Sequence, residues 1–274
     1  MTRWARHFAK LSLAFWLGAA ASPSAADISV AVADAGAPLA AQDWPEQGLA
    51  TAVVRNALAL QAPDEDVRIL WTRERSAPLE LVHQHRAELA LPVPRPPCRS
   101  EATELPCGAF HYSDPIVEII WRLFAHHDRE ITYDTPADLV GKRLCLAEPA
   151  GRIYGSIAGI GVVENVLGEI RRARTLEESF SLLLGARVDA VIADEFSGVQ
   201  ALFDQNLTET VVPLPRPLGS QSLHVAVSRS HWRATTLIYR VNAGLAGMKQ
   251  SGAYQALVAR HVERFWEDLS LRAR

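Results

Sequence analysis

Short alternating runs and stretches of helical period succeed one another along this chain. In "ISVAVAD", from Ile28 to Asp34, Ile28, Val30 and Val32 alternate with small residues, the period of a half-buried strand. "GLATAVVRNALALQAP" then sets Leu49, Val53, Ala57 and Leu60 on one helical face, with Pro63 just past the end. "VRILW" reads as a second strand. "SAPLELVHQHRAEL" reads as a short helix with Ser76 as its cap and Pro78 in its first turn, and "ELAL" as a third strand. "IVEIIWRLFAHHD" is a long extended segment.

A new strand-turn-helix unit opens at "TPADLVGKRLCLAEPAG", where Thr135 caps a turn, Pro136 takes the first position and Asp138 reaches back as in a capping box. "RTLEESFSLLLGARVDAVIADEFSGVQALF" repeats that logic. Thr175 and Glu178 form a capping box, Leu176, Phe180 and Leu183 an apolar face, and Gly185 a stop. "VDAVIAD" follows as a buried strand ending on Asp194, and "LHVAVSRSHW" as another. Two helices close the chain, one bearing Leu237, Val241, Leu245 and Met248, the other Tyr254, Leu257, Val258 and His261. Strands alternating with helices predict an α/β fold with a largely parallel sheet, and the length accommodates two lobes.

The first 26 residues stand apart from this pattern. Arg3, Arg6 and Lys10 precede an apolar run from Leu11 to Ala21 and small residues at Ser24-Ala25-Ala26, the layout of a secretory signal peptide cut after Ala26, with a retained anchor as the rival reading. Export predicts a periplasmic location. Removing residues 1–26 takes away three cations and no acids, leaving 25 basic against 31 acidic residues and a net charge near −6. Such a balance lacks the basic footprint of a nucleic-acid-binding protein. No later apolar stretch is long enough to span a membrane.

Export also changes the reading of the cysteines. Cys98 and Cys107 flank the proline-rich loop "PRPPCRSEATELPCGAFHYSDPI", and an oxidising compartment allows them to pair, closing a small loop at a gain of about 2.5 to 3 kcal/mol. Two unpaired thiols are the alternative. Cys145, inside an apolar run, reads as a small buried hydrophobe. His83 with His85, and His126 with His127, show no neighbouring Cys, Asp or Glu at metal-ligand spacing and read as ordinary histidines, so no metal is expected. "NLT" at Asn206 is a glycosylation sequon by spelling only, and no nucleophile elbow, phosphate-binding glycine loop or zinc motif occurs.

In order, "AELALPVPRPPCR", "FHYSDPIVEIIWRLFA", "DLVGKRLCLAEPAG", "LLLGARVDAVIAD", "LHVAVSRSHW" and "NAGLAGMKQSGAYQALVARHV" resemble the family 3 periplasmic solute-binding proteins, the polar amino-acid type serving ABC importers. The resemblance implies a two-lobed type II periplasmic-binding-protein fold with two crossing hinge strands. Lobe 1 would take residues 27–125 and 221–274, and lobe 2 residues 126–220. It implies further a monomeric protein without cofactor, closing on a small polar solute and handing it to a membrane permease.

Carried onto this chain, the resemblance puts Arg99 at the carboxylate-binding arginine, with Arg95 able to replace it, and Asp194 at the acid that meets an α-amino group. For Arg99 a solvated loop arginine, and for Asp194 a helix cap, are the plain alternatives. Gly151 and Arg152 open the turn where the family has Gly followed by Ser or Thr, a departure that bears on the solute. Trp44 takes the place of an aromatic against the solute, or packs half-buried. Tyr112, Ser113 and Asp114 shape the approach to the hinge, and Glu118 is a weaker candidate for an inward-facing contact. The longer cysteine loop is a second departure, and a bridge there would hold the neighbouring arginine ready.

Three functions remain open. The first is a solute-binding protein that catalyses nothing. The second is an exported dehydratase of cyclohexadienyl type on the same scaffold, using Glu118, Asp194 or a histidine as acid or base. The third is a soluble partner that presents ligand to a membrane sensor.

Overall fold

The computed structural model describes residues 27–74, 76–96, 107–129, 131–147 and 170–272. The signal-peptide reading of residues 1–26, and the readings of Cys98, Arg99, Gly151 and Arg152, lie outside the described residues.

Three parallel strands begin the fold: β1 (Ile28–Ala33), β2 (Val67–Thr72) and β3 (Leu89–Pro94), with β1 between the other two. Helix α1 (Leu49–Gln61) crosses from β1 to β2 and α2 (Ala77–His83) from β2 to β3. β1 is buried along nearly its whole length, which is why its sequence carries only Ile, Val and small residues.

The short strand β4 (Phe110–Tyr112) leads into β5 (Val117–His126). β6 (Leu144–Ala147), β7 (Ile170–Ala173), α3 (Leu176–Leu184), β8 (Ala190–Asp194), α4 (Glu195–Asp204) and β9 (Val211–Pro213) follow. β6 lies parallel between β7 and β8, a second parallel triplet. The chain returns through β10 (Gly219–Ser228) and ends in α5 (Ala234–Ser251) and α6 (Ala253–Arg272).

Two long strands join the triplets. β10 pairs antiparallel with β3 and β4 through Leu223–Ser228 and with β5 through Gly219–Leu223, while β5 continues from Trp121 to Ala125 beside β8. The strand order β2-β1-β3-β10-β5-β8-β6-β7 is therefore one curled sheet crossed at its centre by β5 and β10. Each triplet carries its own helices, and the carboxyl ends of β1, β3, β6 and β8 converge on the crossing. This is the mixed α/β, two-lobed architecture of periplasmic binding proteins.

Several local expectations need correction. Leu60, placed on the apolar face of α1, is 58% exposed, and Leu58, Val54 and Ala50 are buried with Val53 and Ala57, because the stripe follows the close approach of α5. Ser76 makes no side-chain cap to α2 and itself has helical φ/ψ. The capping box expected at Thr135 is present, on a 3-10 turn over Pro136–Leu139, with the Asp138 carboxylate accepting from the Thr135 N–H at 2.7 Å. At α3 the Thr175 hydroxyl accepts from the Glu178 N–H at 3.2 Å, but Glu178 reaches past it to the Arg174 N–H at 2.9 Å.

Cys145 is a free, fully buried thiol on β6, 3.5 Å from the Ser179 hydroxyl, and burial pushes its pKa up. A partly buried ion network ties the start of α5 to the segments that lead into β2 and β3. The guanidinium of Arg233 donates to both Glu65 oxygens, at 3.1 and 2.9 Å, and to Glu88 at 3.4 Å, and Arg240 also holds Glu65.

Candidate functional site

The crossing strands present one apolar row to the cleft. Val117, Ile119 and Trp121 alternate with exposed Glu118 and Ile120, and on β10 Leu223 and Gln221 stand opposite Val117 and Ile119. Period-2 alternation fixes this division, so Glu118 lies on the solvent side, where Ser220 donates its hydroxyl proton to Glu118 Oε1. Glu118 is thus not the inward contact it was a candidate for.

Above this row lies a cleft open to solvent. Ala33 ends β1 and Leu39 follows it, Leu79 comes from α2, Val93 and Pro94 end β3, and Asp194 forms the far wall from the second triplet. A second cavity opens from the same Trp121 and Asp194 toward Asp34, Arg174, Thr175 and Ser197. Trp121 and Asp194 line both.

Asp194 is 9% exposed and ends an entirely buried strand. Its Oδ1 accepts from the Ser197 N–H at 3.0 Å, so it does cap α4, the plain alternative to a solute contact. Both descriptions hold together. One carboxylate oxygen satisfies a helix amide, and the residue still lines the cleft at a strand's carboxyl end, where open α/β sheets bind ligands.

Trp44 belongs elsewhere. It starts the 3-10 turn Pro45–Gln47 and lines a separate groove with Arg260, His261 and Glu267 of α6. It does not line either cavity that meets Asp194, and its indole N–H is buried without a partner among the described residues. The loop after β1 turns Trp44 toward the C-terminal helix instead of toward the hinge.

Arg95 follows β3, is exposed, and contributes with dominant burial to hold the His224 pKa below its ordinary value. Ser113 is buried. Its N–H donates to the Val225 carbonyl at 2.9 Å and its hydroxyl accepts from the Val225 N–H at 2.9 Å, while His224 Nδ1–H donates to the Ser113 carbonyl at 2.7 Å. The Asp114 N–H donates to Asn242 on α5 at 2.9 Å, so Ser113 and Asp114 brace the hinge approach while Tyr112 reaches the cleft. His126 and His127 do have an acid beside them. Asp128 brings ligand atoms of all three within 4.8 Å, an arrangement the adjacent sequence "HHD" already carried, although His127 Nε2 pairs with Asp128 and its Nδ1 with the Thr210 carbonyl.

Sequence reasoning passed over Trp121 and Gln221. The signal for Trp121 was its place in the alternation of "IVEIIWRLF"; Gln221 lies just before the run read as a strand, and β10 in fact begins at Gly219.

No family model and no curated protein matches this sequence. Solved structures do match. The ligand-binding core of GluR0 in complex with L-glutamate superposes with a TM-score of 0.65 at 14% identity, covering 87% of this chain and 99% of that one. The chain has the two-lobed α/β fold of periplasmic binding proteins. A histidine kinase sensor domain similar to periplasmic binding proteins gives a TM-score of 0.64 at 19% identity over 86% of this chain and 95% of its own. The substrate-binding protein of an amino acid ABC transporter gives 0.60 at 15% identity, covering 86% and 99%. Structural neighbours of this solute-binding fold are thus amino-acid-binding proteins and sensor domains, and no described helix is long and apolar enough to cross a membrane.

Proposed function

We propose that this protein is a periplasmic solute-binding protein, exported by a cleaved leader of residues 1–26, that captures an amino acid or related small carboxylate between its lobes for an ABC importer. The observation that carries the reading is Asp194: a nearly buried carboxylate at the end of β8, facing a cleft at the crossing of β5 and β10. An ammonium group would meet it there, charge-assisted and shielded from water. In this reading Arg99, with Arg95 behind it, takes the solute carboxylate and the turn at Gly151 and Arg152 closes over it. Residues 27–125 and 221–274 form lobe 1 and residues 126–220 form lobe 2. The Cys98–Cys107 disulfide belongs to the same proposal and is supported by burial of the third cysteine, Cys145, as a free thiol. The protein acts as a monomer and needs no cofactor.

A second reading, delivery of the solute to a membrane sensor, draws support from the likeness to a histidine kinase sensor domain. An exported dehydratase would instead alter what it binds.

The test is a thermal-shift screen of the chain from Asp27 onward against amino acids, dicarboxylates, amines and prephenate-like acids. At a hundred times its Kd a solute stabilises the protein by about 2.7 kcal/mol. A shift lost in Asp194→Ala, with the solute recovered unchanged, supports a receptor, and conversion of the solute would establish an enzyme instead. No shift with any solute would remove the binding reading.

A further inference from the structure

The outer end of β5 carries chemistry that the cleft does not use. His126 ends the strand opposite Val211 of β9, and His127 and Asp128 form a turn closed by the Arg129 N–H, which donates to the His126 carbonyl at 3.0 Å. One ligand atom from each of His126, His127 and Asp128 lies within 4.8 Å of the other two. Among the described residues no other three His, Cys, Asp or Glu side chains come so close. The length of β5 puts this turn about 30 Å from Val117 at the strand crossing.

The rings are held in defined states. The Thr210 carbonyl accepts from the His127 backbone N–H at 2.9 Å and from its ring Nδ1 at 3.1 Å. A carbonyl only accepts, so Nδ1 carries the proton and Nε2 of the neutral ring presents a lone pair. That lone pair meets Asp128 Oδ1 at 2.9 Å. Two acceptors at that distance repel unless a cation lies between them, either a proton or a metal ion. His126 also turns a lone pair toward Asp128, its Nδ1 accepting from the Asp128 N–H at 3.2 Å.

The donor set distinguishes the two cations. A proton needs only His127 and Asp128 and leaves His126 idle, whereas a metal ion uses all three. A separation of 2.9 Å matches two ligands at a right angle with bonds of about 2.05 Å, an ordinary length from a transition metal to imidazole or carboxylate. Two imidazoles with one carboxylate suit zinc, nickel or copper, while magnesium and calcium take oxygen ligands. A ring tied through its other nitrogen to a backbone carbonyl is the usual support of a metal-bound histidine. The side chains of His127 and Asp128 are 46% and 72% exposed, so an ion reaches them from solvent and keeps water in its remaining positions.

We infer that His126, His127 and Asp128 form an open surface site for one divalent transition-metal ion of the zinc, nickel and copper group. The inference is independent of the cleft and holds whether or not a solute is captured there.

Titration calorimetry of the metal-stripped chain from Asp27 onward, with nickel(II), zinc(II) and magnesium as probes, tests this. One equivalent of nickel or zinc should bind at least about tenfold tighter than magnesium. His127→Gln and Asp128→Asn, each shown to be folded by its melt without metal, should weaken that binding at least about tenfold. His83→Gln, which removes an exposed histidine elsewhere, should leave it unchanged. The ion should raise the Tm of the parent and not of the two turn variants, because the hydrogen bond that fixes the His127 ring exists only in the folded chain. Absence of nickel and zinc binding would leave a protonated His127 paired with Asp128 and overturn the inference. Binding undiminished in His127→Gln or Asp128→Asn would overturn it equally, as the work of scattered surface histidines.

Discussion

Trp121 on the crossing strand β5 stands directly opposite Asp194, the last residue of β8. Opposed residues of an antiparallel ladder project to the same face, so an indole and a carboxylate enter the cleft side by side, one supplied by the hinge and one by the second triplet. In the proposed function, closure about the hinge would move a charge together with an aromatic wall. Because Asp194 also caps α4, charge and cap can be separated. Asp194→Asn keeps an oxygen for the Ser197 N–H, so its unfolding free energy should stay within about 1 kcal/mol of the parent, while the solute-induced rise in Tm disappears. Urea melts with and without solute check both. Retention of the full solute shift would show that the carboxylate is structural.

Gly244 is where α5 meets α1. A Cβ there would land on the carbonyl of Ala57, a backbone atom that cannot swing aside. Gly244→Ala should therefore cost about 1–3 kcal/mol by forcing the helices apart, read as a lower urea midpoint. Solute preference should not change, since neither residue lines the cleft.

Acid should weaken the protein in two stages. His224 and His261 are buried, and burial holds both pKa values below the ordinary 6.5, against the pull of Asp114 on the first and Glu46 on the second. The unfolded chain therefore takes up protons first, and stability falls as pH drops below 6.5 until the folded imidazoles titrate. For Glu65 burial acts upward, but hydrogen bonds from Arg240 and Arg233 overcome it and leave the carboxyl below its ordinary 4.5. Its contribution is present above 4.5 and is lost as pH falls from there through the folded value. Urea midpoints from pH 8 to pH 3.5 should show both declines, and His261→Leu should flatten the first. A midpoint constant between pH 7 and pH 5 would refute the histidine part.

Cysteine labelling separates the thiols by burial. Cys145 is fully buried with its pKa raised, so iodoacetamide should leave it unmodified in the native protein and modify it in urea. Intact mass should show no native alkylation without reductant and two additions with it, if Cys98 and Cys107 pair. Two additions without reductant would remove the disulfide.

Much of this architecture was legible because burial is written in period. The fully buried "AVIAD" of β8 and the alternating "VEIIW" of β5 could be placed from sequence, as could the end of β8 at Asp194. What period cannot carry is which loop turns where. Trp44 has the composition of a cleft aromatic, yet the left-handed φ values of Glu46 and Gln47 and the contact with α6 take that loop to the outer side. Nor does period show that two strands cross, so Trp121, inside the run "FHYSDPIVEIIWRLFA", and Gln221, two residues before Leu223, were overlooked until β5 and β10 paired. Leu60 failed for a related reason: the face of α1 that is buried depends on where α5 lies, and a glycine in α5 sets that.

The C-terminal helix makes the last prediction. α6 packs on α1 and α5, yet Phe265 meets Phe196 of α4 edge to face at 5.2 Å, and Arg272 approaches Asp204 at 3.7 Å. Phe265 and Leu269 are both 1% exposed, so this contact with the second triplet is a packed one. Phe265→Ala should cost about 3–5 kcal/mol, whereas Arg272→Ala, in a half-exposed pair, should cost less than about 1 kcal/mol. A double-mutant cycle of Phe196→Ala and Phe265→Ala should give a coupling of about 0.5–1.5 kcal/mol. In the proposed function α4 lies in the lobe that closes while α6 stays beside α1, so closure on a solute would alter that contact. The coupling measured with saturating solute should therefore differ from that without it, and an unchanged value would mean that α4 and α6 move as one body.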